Sequence, residues 1–136
     1  MIEYIEKDVL SKLENRSLFA KRALEYFHPK YYTILKDDIF NELNTLLKDD
    51  DPYYKGFLYS ILIRIYIKEK DYKKVVELTN IILEFSGLVL YEYCGKISPF
   101  ATDVIKKVIS CYDILIKEND IPAMWGKARI LHFMNK

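Results

Sequence analysis

The sequence of 136 residues contains little of what disulfide frameworks, metal sites and flexible linkers are made from. Two cysteines cannot form a disulfide framework, and the two histidines have no cysteine or acidic partner at ligand spacing, so no zinc site is expected. Four glycines and four prolines exclude collagen-like and low-complexity chains. The longest apolar run, residues 57–67, is interrupted by Ser60 and Arg64. No segment therefore approaches the roughly 18 apolar residues of a membrane span.

Neither positive nor negative charge is in excess. Lys and Arg number 21 and Asp and Glu number 20, so the net charge of +1 argues against binding duplex nucleic acid through bulk charge. Glutamine is absent, which fits a thermophile or an AT-rich genome. Residues 1–8 are acidic and amphipathic, unlike a secretory signal, so the expected location is the cytoplasm.

The prolines divide the chain at regular intervals. Pro29 and Pro99 are separated by the same interval as Pro52 and Pro122. Half of that interval is close to the roughly 34-residue period of helical-hairpin repeats. The apolar fraction of 51% allows one continuous core. We therefore expect a single domain over residues 1–136, with approximate tandem units 1–70 and 71–136.

Between the prolines the apolar residues recur at helical spacing, and no segment has the alternation of a strand. The pattern predicts an all-α fold of about eight antiparallel helices with short joints. Residues 57–68 are apolar nearly all round, which predicts the most buried helix. The turns are expected at residues 69–71 and 118–120, with Asp71 as an N-cap. The predicted helices cover residues 2–13, 18–27, 34–47, 57–68, 72–85, 88–97, 104–115 and 122–135.

Several of these segments resemble the tetratricopeptide repeat (TPR) family, whose pattern is Trp-x2-Leu-Gly-x2-Tyr in a first helix and Ala-x3-Phe-x2-Ala in a second. The matching segments are Tyr59-x2-Leu62-Ile63-x2-Tyr66, the turn Lys70-Asp71-Tyr72, Val108-x3-Tyr112-x2-Leu115, and Trp125 in the Trp place of a further repeat. Ile63 and Arg129 stand where the family has its packing glycine, so the repeats are degenerate. The resemblance implies a right-handed solenoid with a concave groove that holds a peptide or partner helix.

The resemblance also implies where a partner would bind. Arg64 and Lys68 are four residues apart on one predicted helix, and in a TPR-like register both face the groove. Tyr59 lies on the same helix, and Lys21 on the preceding first helix adds to the basic patch. The alternative is that these cations are solvated side chains that lie along an exposed face.

The last predicted helix is apolar where a solenoid end normally carries a polar cap. This pattern predicts a surface for homo-oligomers or for a partner, unless the chain is a piece of a longer array. The residues of this predicted interface are Met124, Trp125, Ile130 and Phe133.

Catalysis is not the expected function, because the sequence has no Gly-rich phosphate loop and no Ser-His-Asp or Cys-His arrangement. No cofactor and no metal are expected. One alternative is a ribonuclease, since Arg22-x5-His28 resembles a motif of HEPN-like helical bundles. A structural subunit of a nucleoprotein complex is the other alternative. Cys94 and Cys111 are expected to be buried thiols.

Overall fold

Six α-helices and one 3₁₀ turn form nearly all of the chain that the computed structural model describes. The description covers the backbone of residues 2–46, 52–85 and 99–134, and the side chains of residues 14–46, 54–83 and 105–132. No strand occurs in these ranges, which confirms the all-α expectation. The helices are α1 (Ile2–Glu25), α2 (Tyr32–Thr45), α3 (Pro52–Lys68), α4 (Tyr72–Phe85), α5 (Pro99–Lys117) and α6 (Ile121–Met134).

The described helices differ from the sequence-based expectation at the start of the chain. The segments 2–13 and 18–27 do not form separate helices, because α1 is one helix of 24 residues that runs through both. No proline or glycine lies between residues 2 and 25 to interrupt it. The expected helix over residues 88–97 lies outside the described residues. Of the helices that are described, none is both long and apolar enough to cross a membrane.

The joint between α1 and α2 is set by Pro29. A residue before proline is disfavoured in the helical conformation, and His28 is extended, with φ −149° and ψ 144°. Its Nδ1 accepts a hydrogen bond from the Lys30 backbone N–H at 3.4 Å, which caps the 3₁₀ turn Pro29–Tyr31. The rings of Tyr26 and Tyr31 meet edge to face across this joint, 5.2 Å between centroids.

The chain forms two compact units, Met1–Thr45 and Leu46–Lys136. The first unit contains α1, the 3₁₀ turn and α2, and the second contains α3 to α6. The expected border of the tandem units, between residues 70 and 71, lies in the turn between α3 and α4.

In the second unit α4 packs against each of the other three helices, α5 packs against α6, and α3 contacts α5. The α3 helix is buried on nearly every side, as its sequence predicts, because apolar residues occupy almost all of its positions. The most buried side chains of this core are Leu58, Ile61, Leu62 and Ile65 of α3, Val75 and Leu83 of α4, Tyr112 of α5 and Ile130 of α6.

Candidate functional site

The predicted basic patch on α3 is only partly exposed. Lys68 lies in the last turn of α3 and is exposed, whereas Arg64 is partly buried. Tyr59 is also partly buried, and this burial raises the pKa of its hydroxyl above the ordinary value. Lys21 is exposed on α1 and belongs to the first compact unit, whereas the other three residues belong to the second. Among the described side chains of α3, Lys68 is thus the one cation that is exposed rather than partly buried.

The α3–α4 joint and the α5–α6 joint are built alike, and each follows the sequence pattern Glu-x-Asp. Lys70 and Asn119 are the middle residues, with positive φ values of 60° and 64°. The Asp71 N–H donates to the Tyr66 carbonyl, and the Asp120 N–H donates to the Leu115 carbonyl, each reaching back five residues. This is the bonding of a Schellman motif, which ends a helix with one left-handed residue.

Each of these two joints also caps the helix that follows it. Asp71 Oδ1 accepts from the Lys74 N–H at 3.3 Å, and Asp120 Oδ1 accepts from the Ala123 N–H at 2.9 Å. Both turns expected from the sequence, and the N-cap expected at Asp71, are confirmed. The two joints therefore align α4 with α6, with Lys70 corresponding to Asn119. We call a residue of α4 and a residue of α6 equivalent when they lie the same number of residues after Lys70 and Asn119, respectively.

One side of α4 is covered by α5 and α6 through a small polar cluster. The Tyr112 hydroxyl donates to Asn80 Oδ1 at 2.5 Å, and Asn80 Nδ2 donates to the Pro122 carbonyl at 3.2 Å. Burial raises the pKa of Tyr112 above its ordinary value, and a hydrogen bond with Thr79 opposes this in part. Thr79 and Asn80 therefore mark the side of α4 that faces α5 and α6.

Gly126 allows these three helices to approach closely. A Cβ atom at this position would lie 2.5 Å from Tyr112 Cε1 and 2.8 Å from the Tyr112 hydroxyl, with Asn80 Oδ1 nearer still. Real Cβ atoms do not make such contacts. Gly126 therefore serves packing in the centre of the unit, although glycine is a poor helix former.

Several exposed residues of α6 are equivalent to buried residues of α4. Met124 and Trp125 are each 42% exposed, and Leu131 is 41% exposed. Their equivalents in α4 are all buried: Val75 is 0% exposed, Val76 is 3% exposed and Ile82 is 4% exposed. The equivalents of Thr79 and Asn80 are Ala128 and Arg129, which are also exposed. We call this exposed surface the α6 face; its residues are Met124, Trp125, Ala128, Arg129 and Leu131.

Two cations of α6 are held by neighbouring groups. The guanidinium carbon of Arg129 lies over the Trp125 ring, 4.9 Å from its centroid. Lys127 Nζ lies 2.5 Å from Asp113 Oδ1 of α5, so this charge is paired within the unit. Arg129 is thus the cation that belongs to the α6 face.

The four residues of the predicted oligomer interface do not lie together on one surface. Met124 and Trp125 are on the α6 face, but Ile130 is fully buried. Ile130 is therefore a core residue, because it is on the opposite side of α6, where Ala123 and Gly126 are also buried. Phe133 lies in α6, and its side chain is outside the described residues.

A cavity of about 280 Å³ lies between α1 and α2 in the first unit. Two groups of four residues line the cavity, one from α1 and its C-terminal end and one from the N-terminal end of α2. In each group the residues are spaced i, i+3, i+4 and i+7, as expected for two helices that face each other. The lining residues are Phe19, Arg22, Ala23, Tyr26, Tyr31, Ile34, Leu35 and Asp38. Arg22 is thus at the cavity, whereas His28 is not among its lining residues and its Nδ1 accepts the capping hydrogen bond at Pro29–Tyr31.

Metal and thiol chemistry have no assembled site in the part of the chain that is described. There, no three His, Cys, Asp or Glu side chains lie close enough together to hold a metal ion. Cys111 is a buried free thiol, as expected, and burial raises its pKa to about 11. The other expected buried thiol, Cys94, lies outside the described residues.

Sequence reasoning did not identify the residues Asn80, Tyr112, Gly126 and Arg129 as a group. Gly126 could have been recognised, because a glycine inside an apolar helix often marks a close approach of another helix. Arg129 is four residues after Trp125, the spacing at which side chains meet on a helix. Asn80 carries no such signal, because its partners are 32 and 42 residues away.

Comparison of the chain with protein-family models gives no match, and neither do comparisons with curated proteins and with solved structures.

Proposed function

We propose that the protein is a non-catalytic interaction module, built from stacked TPR-like helical hairpins, that binds another protein. The observation that carries this proposal is the α6 face. The equivalent positions of α4 are buried within the unit, whereas on α6 they are exposed and largely apolar. Contiguous exposed apolar side chains on a folded unit are typical of protein interaction sites.

The packing of the second unit supports stacking as its building principle. The α3–α4 and α5–α6 pairs are joined by the same turn motif, and α4 contacts both members of the other pair. One helical hairpin cannot bury its apolar face alone, and a neighbouring pair of helices covers it. The Lys70-Asp71-Tyr72 turn and the Tyr66 position, both part of the resemblance to the TPR family, lie at the α3–α4 joint.

Binding is better supported at the α6 face than at the predicted groove on α3. Tyr59 and Arg64 are partly buried, so Lys68 is the only one of the predicted residues on α3 whose side chain is exposed. At the α6 face two large apolar residues are exposed side by side, and Trp is among the residues most enriched at protein interfaces. A homo-oligomer through α6 is the alternative use of the same face.

The ribonuclease alternative has weaker support. A general acid or base must reach the substrate, and one ring nitrogen of His28 already accepts a hydrogen bond that caps Pro29–Tyr31. Arg22 lines the cavity of the first unit without His28. A structural role in a nucleoprotein complex draws no support from the net charge of +1.

Affinity capture with a matched pair of variants tests the proposal. Trp125→Glu places a charge on the α6 face, and Ile114→Glu places the same charge at an exposed apolar position of α5. Each protein is immobilised and exposed to lysate of the source organism. We expect the wild type and Ile114→Glu to retain one common partner that Trp125→Glu loses by roughly tenfold or more, as for a hot-spot residue.

Retention of the same proteins by Trp125→Glu and the wild type would contradict an interaction site on α6. Far-UV circular dichroism of each variant controls for folding. Light scattering on the wild type separates the two uses of the face, because a homo-oligomer shows a mass above that of a single chain, which Trp125→Glu returns to the monomer value.

A further inference from the structure

The cavity of the first unit has an apolar floor and a mouth that carries charge. On each helix side its lining residues form two stripes at spacing i, i+4. The stripes that are buried or partly buried form the floor, namely Phe19 and Ala23 on the α1 side and Tyr31 and Leu35 on the α2 side. The stripes that are exposed form the mouth, namely Arg22 and Tyr26 on the α1 side and Ile34 and Asp38 on the α2 side. The two charged side chains among these residues therefore lie at the opening.

The size of the cavity suits an aromatic ligand. Its volume of about 280 Å³ is nearly twice the roughly 150 Å³ of an apolar cavity that binds benzene. The floor includes the rings of Phe19 and Tyr31, and aromatic rings favour offset or edge-to-face contact with another ring. Largely apolar pockets with a few convergent polar groups are typical small-molecule sites. The space therefore fits an apolar body of up to two rings.

The mouth of the cavity carries one charge of each sign. Arg22 lies in the last turn of α1 and Asp38 lies in α2, and both side chains are exposed. Within the described part of the chain, Arg22 and Asp38 form no ion pair with each other. A ligand with a single charge is attracted by one of these residues and repelled by the other, whereas a zwitterion can pair with both. The charges at the mouth therefore favour a zwitterion.

We propose that the cavity between α1 and α2 binds a small aromatic zwitterion, such as a free amino acid with a large aromatic side chain. The rings of the ligand fill the space above Ala23 and Leu35, its carboxylate accepts hydrogen bonds from Arg22, and its ammonium group donates to Asp38. The apolar floor provides affinity, and the two charges select the zwitterion among aromatic compounds of similar shape. This inference does not rest on the proposed function.

Four ligands with the same naphthyl group separate the effect of shape from that of charge. Naphthylalanine is the zwitterion, naphthylpropanoate carries only the carboxylate, naphthylethylamine carries only the ammonium group, and naphthylethanol is neutral. Each ligand is titrated into the full chain near neutral pH and followed by isothermal titration calorimetry. We expect naphthylalanine to bind roughly fivefold more tightly than each of the other three, the effect of one partly solvated ion pair.

Single changes at the mouth should alter the preference in opposite directions. In Arg22→Gln, naphthylethylamine should become the tightest ligand, and in Asp38→Asn, naphthylpropanoate should become the tightest. Lys21→Gln and Asp37→Asn are the matched controls, because they remove the same charges at exposed neighbouring positions outside the cavity lining, and they should keep the wild-type order. Ala23→Leu fills the floor and should weaken binding of all four ligands by roughly tenfold. Far-UV circular dichroism controls for folding.

Equal affinity for all four ligands would overturn the inference, because the mouth would then not recognise charge. The wild-type order in Arg22→Gln or in Asp38→Asn would overturn it as well, and so would the absence of naphthylalanine binding at millimolar concentration. Unchanged affinity in a folded Ala23→Leu variant would place the ligand outside the cavity. None of these results changes what the capture experiment measures at the α6 face, so the two proposals fail separately.

Discussion

At the scale of single residues, burial in the centre of the second unit disfavours the ionised forms of two adjacent residues of α5, Cys111 and Tyr112. Cys111 and Tyr112 are both buried, and burial raises the pKa of each group above its ordinary value. The neutral thiol and the neutral phenol are therefore the forms compatible with the folded state.

This burial makes stability depend on pH in the alkaline range. The pKa of Cys111 is about 11 in the fold against an ordinary value of 9.0, so the folded state binds the proton more tightly. The resulting stability is complete below pH 9 and is lost as the pH rises from 9 through 11, by about 2–3 kcal/mol. Urea unfolding followed by circular dichroism at several pH values should show this decline. In Cys111→Ala the decline should begin only above the ordinary pKa of Tyr112, and an identical pH dependence of both proteins would contradict the assignment.

A second residue-scale prediction concerns Gly126. Replacement by alanine normally favours a helix, but here the new Cβ would overlap Asn80 and the buried ring of Tyr112. We expect Gly126→Ala to lower the free energy of unfolding by about 1–3 kcal/mol, as overpacked cores do. Urea denaturation measures this value, and a stabilised Gly126→Ala variant would contradict the close approach.

The matched comparison for Gly126 is a double-mutant cycle with Asn80→Ala. Removing the Asn80 side chain removes the nearest atom that the new Cβ would meet. The cost of Gly126→Ala should therefore be smaller in the Asn80→Ala background, and the difference measures the coupling of α4 to α6. Strict additivity would indicate that Tyr112 alone resists the substitution.

At the scale of helices, the two Glu-x-Asp joints carry the geometry of the second unit. Each combines a left-handed residue, a bond that reaches back five residues and an aspartate that caps the next helix. The aspartates explain why the chain re-enters a helix after so short a connection. The left-handed residue is Lys70 in one joint and Asn119 in the other, although glycine is the residue best suited to this conformation.

Replacing Lys70 by glycine is therefore expected to stabilise the protein. A Cβ atom disfavours the left-handed conformation, so Lys70→Gly should raise the free energy of unfolding by about 0.5–1 kcal/mol. Asn119→Gly should gain less, because asparagine tolerates this conformation better than lysine. Lys73→Gly, at an exposed position of α4, is the control and should lose about 0.5–1 kcal/mol. Thermal and urea unfolding give these differences, and a destabilised Lys70→Gly would argue against the left-handed turn.

The joints and the burial of α3 were predictable from sequence, because both depend on local patterns. Asp71 follows a polar turn and precedes an apolar periodic run, and residues 57–68 are apolar on nearly every side.

The orientation of α6 was not predictable in the same way. Nearly all of its positions are apolar, so periodicity does not distinguish the buried Ile130 from the exposed Trp125. That distinction is made by packing against Asn80 and Tyr112, which are distant in sequence.

At the scale of the whole molecule, the chain combines two compact units of unequal size, and the candidate site belongs to the larger one. The core of Leu46–Lys136 is internal to that unit, since α4 packs on α3, α5 and α6. The α6 face lies on the last described helix of this unit and is exposed.

The autonomy of the larger unit gives the last prediction. A fragment of residues 46–136 should fold alone and unfold in one cooperative urea transition, because its buried residues pack mainly on one another. Leu62→Ala, which removes a fully buried side chain from α3, should lower the urea midpoint of the fragment and of the full chain alike. A broad, non-cooperative transition in the fragment would mean that α3 needs the first unit for its stability.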